Sequence, residues 1–156
     1  MLKLNRMTDY GVVVLAHLAE ADGQVLTTPE IAAATRLSQP TVAKLLKLLA
    51  QGGLAVSHRG ARGGYTLARR PAEISMFEAV EVLDGPVAVT SCVETDHEGC
   101  NREPVCPMSG RWDPVNVAIR TTLERITLAD MIAPDSLFHL RKAAPAPPTQ
   151  KAALTA

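Results

Sequence analysis

The sequence predicts a mainly α-helical protein with a small β-wing, that is, a winged helix-turn-helix followed by a cysteine loop and a long helix. Three observations predict this fold class. Helix-capping motifs precede apolar residues at helical spacing. A basic, glycine-rich segment separates two short strand-like runs, and a helical apolar stripe that begins after a proline occupies residues 115–126.

The composition is that of a folded protein without a membrane span. The chain has 156 residues, of which 47% are hydrophobic and 21% charged, so it can bury a core. No apolar run approaches the ~20 residues that cross a bilayer, and the first residues show no signal-peptide pattern. We therefore expect a cytoplasmic protein with no membrane partner. Aromatic residues make up only 3%, which argues against a stacking platform for single-stranded nucleic acid.

Two helices are predicted before residue 36. Thr8 is expected to cap the first helix, which Gly23 ends. Thr27 and Glu30 have the spacing of a capping box, which predicts a short second helix over residues 30–35.

The third predicted helix begins after Ser38, the expected cap, and ends at Gly52. Its apolar residues follow the i, i+3, i+4, i+7 pattern of one buried stripe: Val42, Leu45, Leu46 and Leu49. The polar residues left facing outward are Gln39, Thr41, Lys44 and Lys47. Short polar side chains suit base edges, and lysines suit phosphates.

Residues 54–56 and 65–67 read as two strands joined by a basic loop with several glycines. Helices followed by a basic hairpin are typical of a winged helix-turn-helix, whose third helix enters the major groove of double-stranded DNA. The predicted DNA contacts come from this helix and the wing: Ser38, Gln39, Pro40, Thr41, Lys44, Lys47, His58, Arg59, Arg62 and Gly63. The alternative is a small α+β domain with a solvated basic face.

The net charge of zero hides an asymmetry between the two halves. Residues 1–70 carry nine basic and four acidic residues, whereas residues 71–156 carry seven basic and twelve acidic residues. A basic half joined to an acidic half favours a polyanion-binding head attached to a different module, although small proteins also cluster charges by chance.

The second half predicts further helices. Ser75 and Glu78 have capping-box spacing and open a helix that ends near Leu83, and Thr127 opens another short one. Between them, Asp113 is the expected cap of a long helix with Pro114 at its first position. One stripe of this helix contains Val115, Ile119, Thr122 and Ile126. Pairing with a second copy would cover the stripe and make a homodimer; packing on the chain's own body is the alternative.

These patterns divide the chain into three parts. Residues 1–70 are the predicted DNA-binding domain, residues 71–133 hold the cysteine loop and dimerisation helices, and residues 134–156 are a predicted disordered tail.

Three cysteines, Cys92, Cys100 and Cys106, stand in one loop that contains glycine and proline. This spacing lets the loop fold three thiolates around a metal centre, and thiolates favour iron–sulfur clusters, zinc and copper(I). Three unrelated thiols and a redox disulfide are the alternatives. No nucleophile–base pair or phosphate-binding loop stands out, so neither an enzyme nor a small-molecule substrate is expected.

The whole pattern resembles the Rrf2 family of bacterial winged-helix regulators. The resemblance covers roughly residues 1–133 and rests on motifs spread along them. These are Met7-Thr8-Asp9-Tyr10-Gly11, Ser38-Gln39-Pro40-Thr41-Val42, Gly52-Gly53-Leu54-Ala55, residues 59–67, the three-cysteine loop and residues 126–131. The first motif is most similar to regulators of the SUF operon, which encodes iron–sulfur cluster assembly.

The resemblance implies a homodimeric transcription factor that binds promoter DNA and holds an iron–sulfur cluster on Cys92, Cys100 and Cys106. A 2Fe–2S cluster is favoured, with 4Fe–4S as the alternative. The cluster would sense iron, oxidative or cluster status and control SUF-type assembly genes. The alternatives are a nitric-oxide-responsive repressor of the same family, or a winged-helix regulator with a structural zinc or a thiol switch.

The fourth ligand distinguishes branches of this family. IscR-type members place a histidine three residues after the last cysteine, where this chain has Ser109. NsrR-type members use an aspartate of the first helix supplied by the partner subunit, and Asp9 matches that position. The resemblance therefore favours Asp9, with His97 inside the loop as the alternative. Without the resemblance, an acid at a helix start reads as a simple dipole or capping residue.

Overall fold

The computed structural model describes residues 4–60, 63–90, 93 and 106–133. Within them the protein is mainly helical with one two-stranded antiparallel sheet, which confirms the predicted fold class. The elements are α1 (Arg6–Glu20), α2 (Thr28–Thr35), α3 (Gln39–Gln51), β1 (Ala55–His58), β2 (Gly64–Leu67), a 3₁₀ turn (Pro71–Glu73), α4 (Met76–Asp84), α5 (Asp113–Arg125) and α6 (Leu128–Ile132). None of the helices in this part of the chain is long and apolar enough to span a membrane.

The predicted cap of α1 is wrong. The helix begins at Arg6, and Asn5 is its cap: the Asn5 side-chain oxygen accepts a hydrogen bond from the Thr8 amide at 2.9 Å. Thr8 lies inside the first turn and is fully buried. Asparagine and threonine both cap helices, and Asn5 is the cap here because Thr8 faces the core.

The predicted capping motifs of α2, α4 and α6 are confirmed. In α2, Glu30 accepts from the Thr27 amide at 2.7 Å, while Thr27 Oγ1 accepts from the Glu30 amide at 3.4 Å. Ser75 and Glu78 make the same reciprocal pair at the start of α4. Thr127 caps α6 with Asp130. Such motifs depend on residues three apart, so local sequence is enough to predict them.

Helix α3 buries its predicted stripe and is capped by Ser38, whose Oγ accepts from the Thr41 amide at 3.4 Å. Its C-terminal end lies against α4, since a β-carbon at Gly52 would collide with the Val82 side chain. The hairpin follows at once, and Ala55 pairs with Leu67 while His58 pairs with Gly64.

The hairpin is joined to the helices by a third stretch of backbone. Leu26 and Tyr65 exchange two backbone hydrogen bonds, of 3.0 and 2.8 Å, so β2 also pairs with the segment that precedes α2. Helix α3 in turn packs against β1. The hairpin is therefore held from two sides, by the segment before α2 and by α3.

Residues from both sides of position 70 share one hydrophobic core. Ile74, Ala79 and Leu128 from the second half are fully buried together with Val14 and Leu15 of α1. Helices α1 and α4 approach closely, because a β-carbon at Gly11 would collide with Leu83. The division into domains at residue 70 stays a prediction, but α4 and α6 share the core of the first three helices.

Helix α5 starts one residue earlier than predicted. Asp113 is its first residue and not its cap, contrary to the prediction, and Trp112 before it makes no side-chain cap. None of its residues is buried. It rests on α4 through the Arg120 guanidinium, which lies 4.5 Å from the centre of the Phe77 ring. The predicted disordered tail, residues 134–156, lies outside the described residues.

Candidate nucleic-acid interface and cysteine loop

The N-terminal end of α3 presents polar side chains at the surface. Ser38, Gln39 and Pro40 are exposed, and Thr41 is half-buried. The hydroxyls of Ser38 and Thr41 lie 2.8 Å apart and hydrogen-bond to each other. Each hydroxyl still has capacity for another partner, so the capping pair and the Gln39 amide form one hydrogen-bonding edge at the start of the helix.

Lys44 and Lys47 follow on the exposed face of α3, three residues apart. The helix contains no acidic residue. No ion pair joins either lysine to the residues that the structure describes. Among these residues nothing neutralises the two lysines, which suits them to bind an anion.

The wing adds a second basic surface. His58 and Arg59 are exposed, and His58 Nε2 lies 3.0 Å from Thr66 Oγ1. Gly63 is half-buried and donates its amide to Gly60 at 2.9 Å. A β-carbon at Gly63 would meet the His58 and Gly60 carbonyl oxygens at 2.8 and 3.0 Å, so the tight wing requires a glycine there. Arg62 lies outside the described residues.

Thr66 is a wing residue that the sequence analysis did not select. It stands diagonally across the hairpin from His58 on the same face, the position from which side chains on neighbouring strands can touch. Its hydroxyl holds the imidazole at the surface. This pair can be identified once the hairpin register is known. The register follows from the strand pairing, which the sequence alone does not give.

Asp9 lies in the first turn of α1 with an exposed side chain. Within the described part of the chain, its carboxylate has no hydrogen-bond or ion-pair partner. The capping role belongs to Asn5 instead. The carboxylate is thus accessible to a ligand from outside.

The start of α1 also touches the end of α4. The Asn5 side-chain amide donates to the Asp84 carboxylate, and Asp84 is the last residue of α4. From there the chain continues toward Cys92. Sequence reasoning missed this contact, because 79 residues separate the two side chains.

The structure describes one of the three predicted thiol ligands. Cys106 is half-buried with a free thiol, and its carbonyl accepts from the Ser109 amide at 3.2 Å. Cys92, Cys100 and His97 lie outside the described residues. In the described ranges no three histidine, cysteine or acidic side chains gather to hold a metal, and this finding does not reach the loop. The ligand set therefore stays a prediction, as do the individual DNA contacts.

Three helices, a two-stranded wing and a basic exposed helix face define a winged helix-turn-helix of the DNA-binding class. A family model described as "Iron-dependent Transcriptional regulator" matches residues 4–134, and this chain belongs to that family, Rrf2.

Named relatives agree. The chain is 30% identical over 131 residues to the HTH-type transcriptional regulator CymR of Bacillus subtilis, covering 83% of this chain and 89% of CymR. It is also 30% identical over 132 residues to the regulator NsrR of Geobacillus kaustophilus, covering 84% and 90%.

Solved structures share the fold. CymR, described as the global cysteine regulator of B. subtilis, superposes with a TM-score of 0.64 at 30% identity, covering 85% of this chain and 97% of CymR. T. potens IscR superposes with a TM-score of 0.61 at 31% identity, covering 94% of each chain. The protein is thus a DNA-binding transcriptional regulator of the Rrf2 family and not an enzyme.

Proposed function

We propose that this regulator is a homodimer that holds an iron–sulfur cluster and controls SUF-type cluster-assembly genes. Cys92, Cys100 and Cys106 are the proposed thiolate ligands, and Asp9 of the partner subunit is the proposed fourth ligand. The observation that carries the proposal is the three-cysteine loop between α4 and α5 in a chain of an iron-dependent family.

The donor set suits iron. Thiolates are soft ligands that favour iron–sulfur clusters, and the Cys106 thiol is free and half-buried. The exposed Asp9 carboxylate has no competing partner among the described residues. A carboxylate oxygen is a harder ligand than a thiolate, so one corner of the site would exchange more readily. When bound, a cluster of 2Fe–2S or 4Fe–4S type supplies the redox-sensitive chemistry of a sensor.

The proposed homodimer uses α5. Val115 is 42% exposed, and a shallow cavity of about 330 Å³ runs beside the helix. Its lining residues are Val115, Ala118, Ile119, Thr122 and Leu123. A second copy would remove this apolar surface from water and place two α3 helices for the two half-sites that helix-turn-helix dimers read.

The DNA-reading role is assigned to α3 and the wing. The α3 N-terminal edge with Gln39 would reach base edges in the major groove, while Lys44, Lys47 and Arg59 would contact phosphates. His58, whose imidazole is held by Thr66, would contact the DNA backbone beside the wing.

The Asn5–Asp84 contact suggests how the loop would act on DNA. Asn5 caps α1, and its side-chain amide also donates to Asp84 at the end of α4. The cysteine loop follows α4 in the sequence. A change in the loop would therefore move the start of α1, which shares its core with α3.

Anaerobic purification of the full chain tests the cluster. We expect iron and acid-labile sulfide in near-equal amounts together with visible charge-transfer absorption. Cys106→Ser should abolish these signals, and Asp9→Ala should shorten the lifetime of the cluster in air. Asp113→Ala, which also removes a carboxylate from the first turn of a helix, is the matched control and should behave like wild type.

Other results would contradict parts of the proposal. Unchanged cluster content and lifetime in Asp9→Ala would remove Asp9 as a ligand, and His97→Ala would then test the alternative. Zinc without sulfide would exclude the cluster but leave DNA binding intact. Sequencing of genomic fragments retained by the anaerobic protein tests the target genes, and we expect fragments upstream of cluster-assembly genes.

A further inference from the structure

We propose that Arg36, in the turn between α2 and α3, is a DNA phosphate contact held in place by a strained backbone. Its φ and ψ are 58° and 24°, in the left-handed region. Only glycine, and less often asparagine or aspartate, visits that region routinely. Arg36 and Asp22 are the non-glycine residues with positive φ in the described ranges, and arginine lacks the short polar side chain that helps aspartate there.

The fold requires this conformation but does not require an arginine. Helix α2 ends at Thr35, Ser38 already caps α3, and only Arg36 and Leu37 connect them. Leu37 packs against the core, so Arg36 has to make the reversal. Glycine or asparagine would do so with less strain. The arginine must therefore be explained by its side chain.

Within the residues that the structure describes, no contact explains the Arg36 side chain. Arg36 is exposed and has no hydrogen bond or ion pair with any residue the structure describes. Residues 31–72 contain no acidic residue at all, so the surrounding sequence offers it no carboxylate. This stretch does contain the basic residues of α3 and the wing. Among the described residues, nothing neutralises the charge of Arg36, which stands three residues before α3 and its two lysines.

The place of Arg36 in the helix-turn-helix favours a contact with a DNA phosphate. In helix-turn-helix complexes the first helix of the motif crosses the DNA backbone, and the N-terminal end of the second enters the groove. The residue that joins them, here Arg36, lies between these two sites. A guanidinium there can bind one phosphate through two hydrogen bonds. The inference rests on the DNA-binding class of the family and does not depend on the cluster.

Arg36→Asn tests the inference in the full-length, anaerobically purified protein. Asparagine tolerates the left-handed conformation and removes the charge. The probes are a mixed-sequence 30-base-pair duplex and a duplex enriched by the wild-type protein from a random pool. We expect about fivefold to tenfold weaker binding to both, and a salt slope lower by about one per bound chain. The melting temperature should equal that of wild type or rise by a few degrees, about 2–4 °C.

Two controls complete the design. Arg36→Lys keeps the charge and should retain most of the affinity and the salt slope. Arg125→Gln removes an exposed arginine from the far end of α5 and should leave binding unchanged.

The outcomes separate the alternatives. Wild-type affinity and salt slope in Arg36→Asn would overturn the inference. A loss confined to the enriched duplex would indicate a base contact and would overturn the phosphate assignment. A lower melting temperature in Arg36→Asn would show that the arginine stabilises the fold, against the argument from strain. If the wild-type protein binds neither duplex, DNA binding itself fails, and that result is distinct from all of these.

Discussion

Helices α3 and α5 have the same length, 13 residues, and the same kind of apolar stripe, yet they lie in different environments. Helix α3 buries four side chains completely, whereas α5 buries none. Both patterns predict a helix with one covered face. An amphipathic stripe therefore shows that a helix needs a partner surface, but it does not show which chain provides that surface.

The largest expected effect is on the α3 stripe. Leu45→Ala should lower the free energy of unfolding by about 2–5 kcal/mol, because it leaves a cavity in a closed core. Val115→Ala on α5 should cost less than about 1 kcal/mol in dilute protein, where the side chain is already partly in water. Urea unfolding monitored by circular dichroism measures both. Equal costs would show that the stripes are covered in the same way.

A charge on the α5 stripe should break the dimer. Val115→Glu would place a carboxylate in the proposed interface and should raise the dimer dissociation constant by about 30-fold or more, which corresponds to ~2 kcal/mol. Sedimentation of a dilution series measures it. Thr121→Glu, on another face of α5, is the control and should leave the dimer intact. A dimer indifferent to Val115→Glu would mean that α5 is not the interface.

The helix starts provide a smaller contrast. Ser38→Ala should cost about 1 kcal/mol of stability, because the Ser38 hydroxyl caps α3. Trp112 precedes α5 without making a side-chain cap, so Trp112→Ala should change the cap energy little. Thermal unfolding of both variants compares them. A larger loss in Trp112→Ala would indicate that the exposed indole packs in the assembled protein.

The smallest effect concerns acid stability. Burial alone would raise the pKa of Glu78, but hydrogen bonds from Ser75 and from Arg69 hold it below its ordinary value of 4.5. Because the pKa is depressed in the folded state, its contribution to stability is present above that ordinary value. The contribution is lost as the pH falls through the lowered pKa. Urea unfolding between pH 6 and pH 3 should therefore show a shallower decline for Glu78→Gln. An unchanged decline would show that other carboxylates account for the acid sensitivity.

Local motifs were predictable from the sequence, and long-range contacts were not. The Thr27–Glu30 and Ser75–Glu78 pairs were found because their partners are three residues apart. The sequence does not distinguish Thr8 from Asn5 as the cap of α1, because only the tertiary structure shows that Thr8 faces the core. The His58–Thr66 and Asn5–Asp84 contacts depend on strand register and helix packing, which a single sequence does not reveal.

The sequence alone predicts the kinds of element, most of their ends, the buried stripe of α3 and the basic character of α3 and the wing. These features depend on residues a few positions apart, where spacing and side-chain chemistry are decisive. The tertiary structure was needed to show that α4 and α6 complete the core of the first three helices and that α5, although it packs on α4, buries none of its side chains completely. It also decided that Arg36 occupies a left-handed turn. These depend on contacts between distant segments, because burial is a property of the assembled surfaces and not of any one segment.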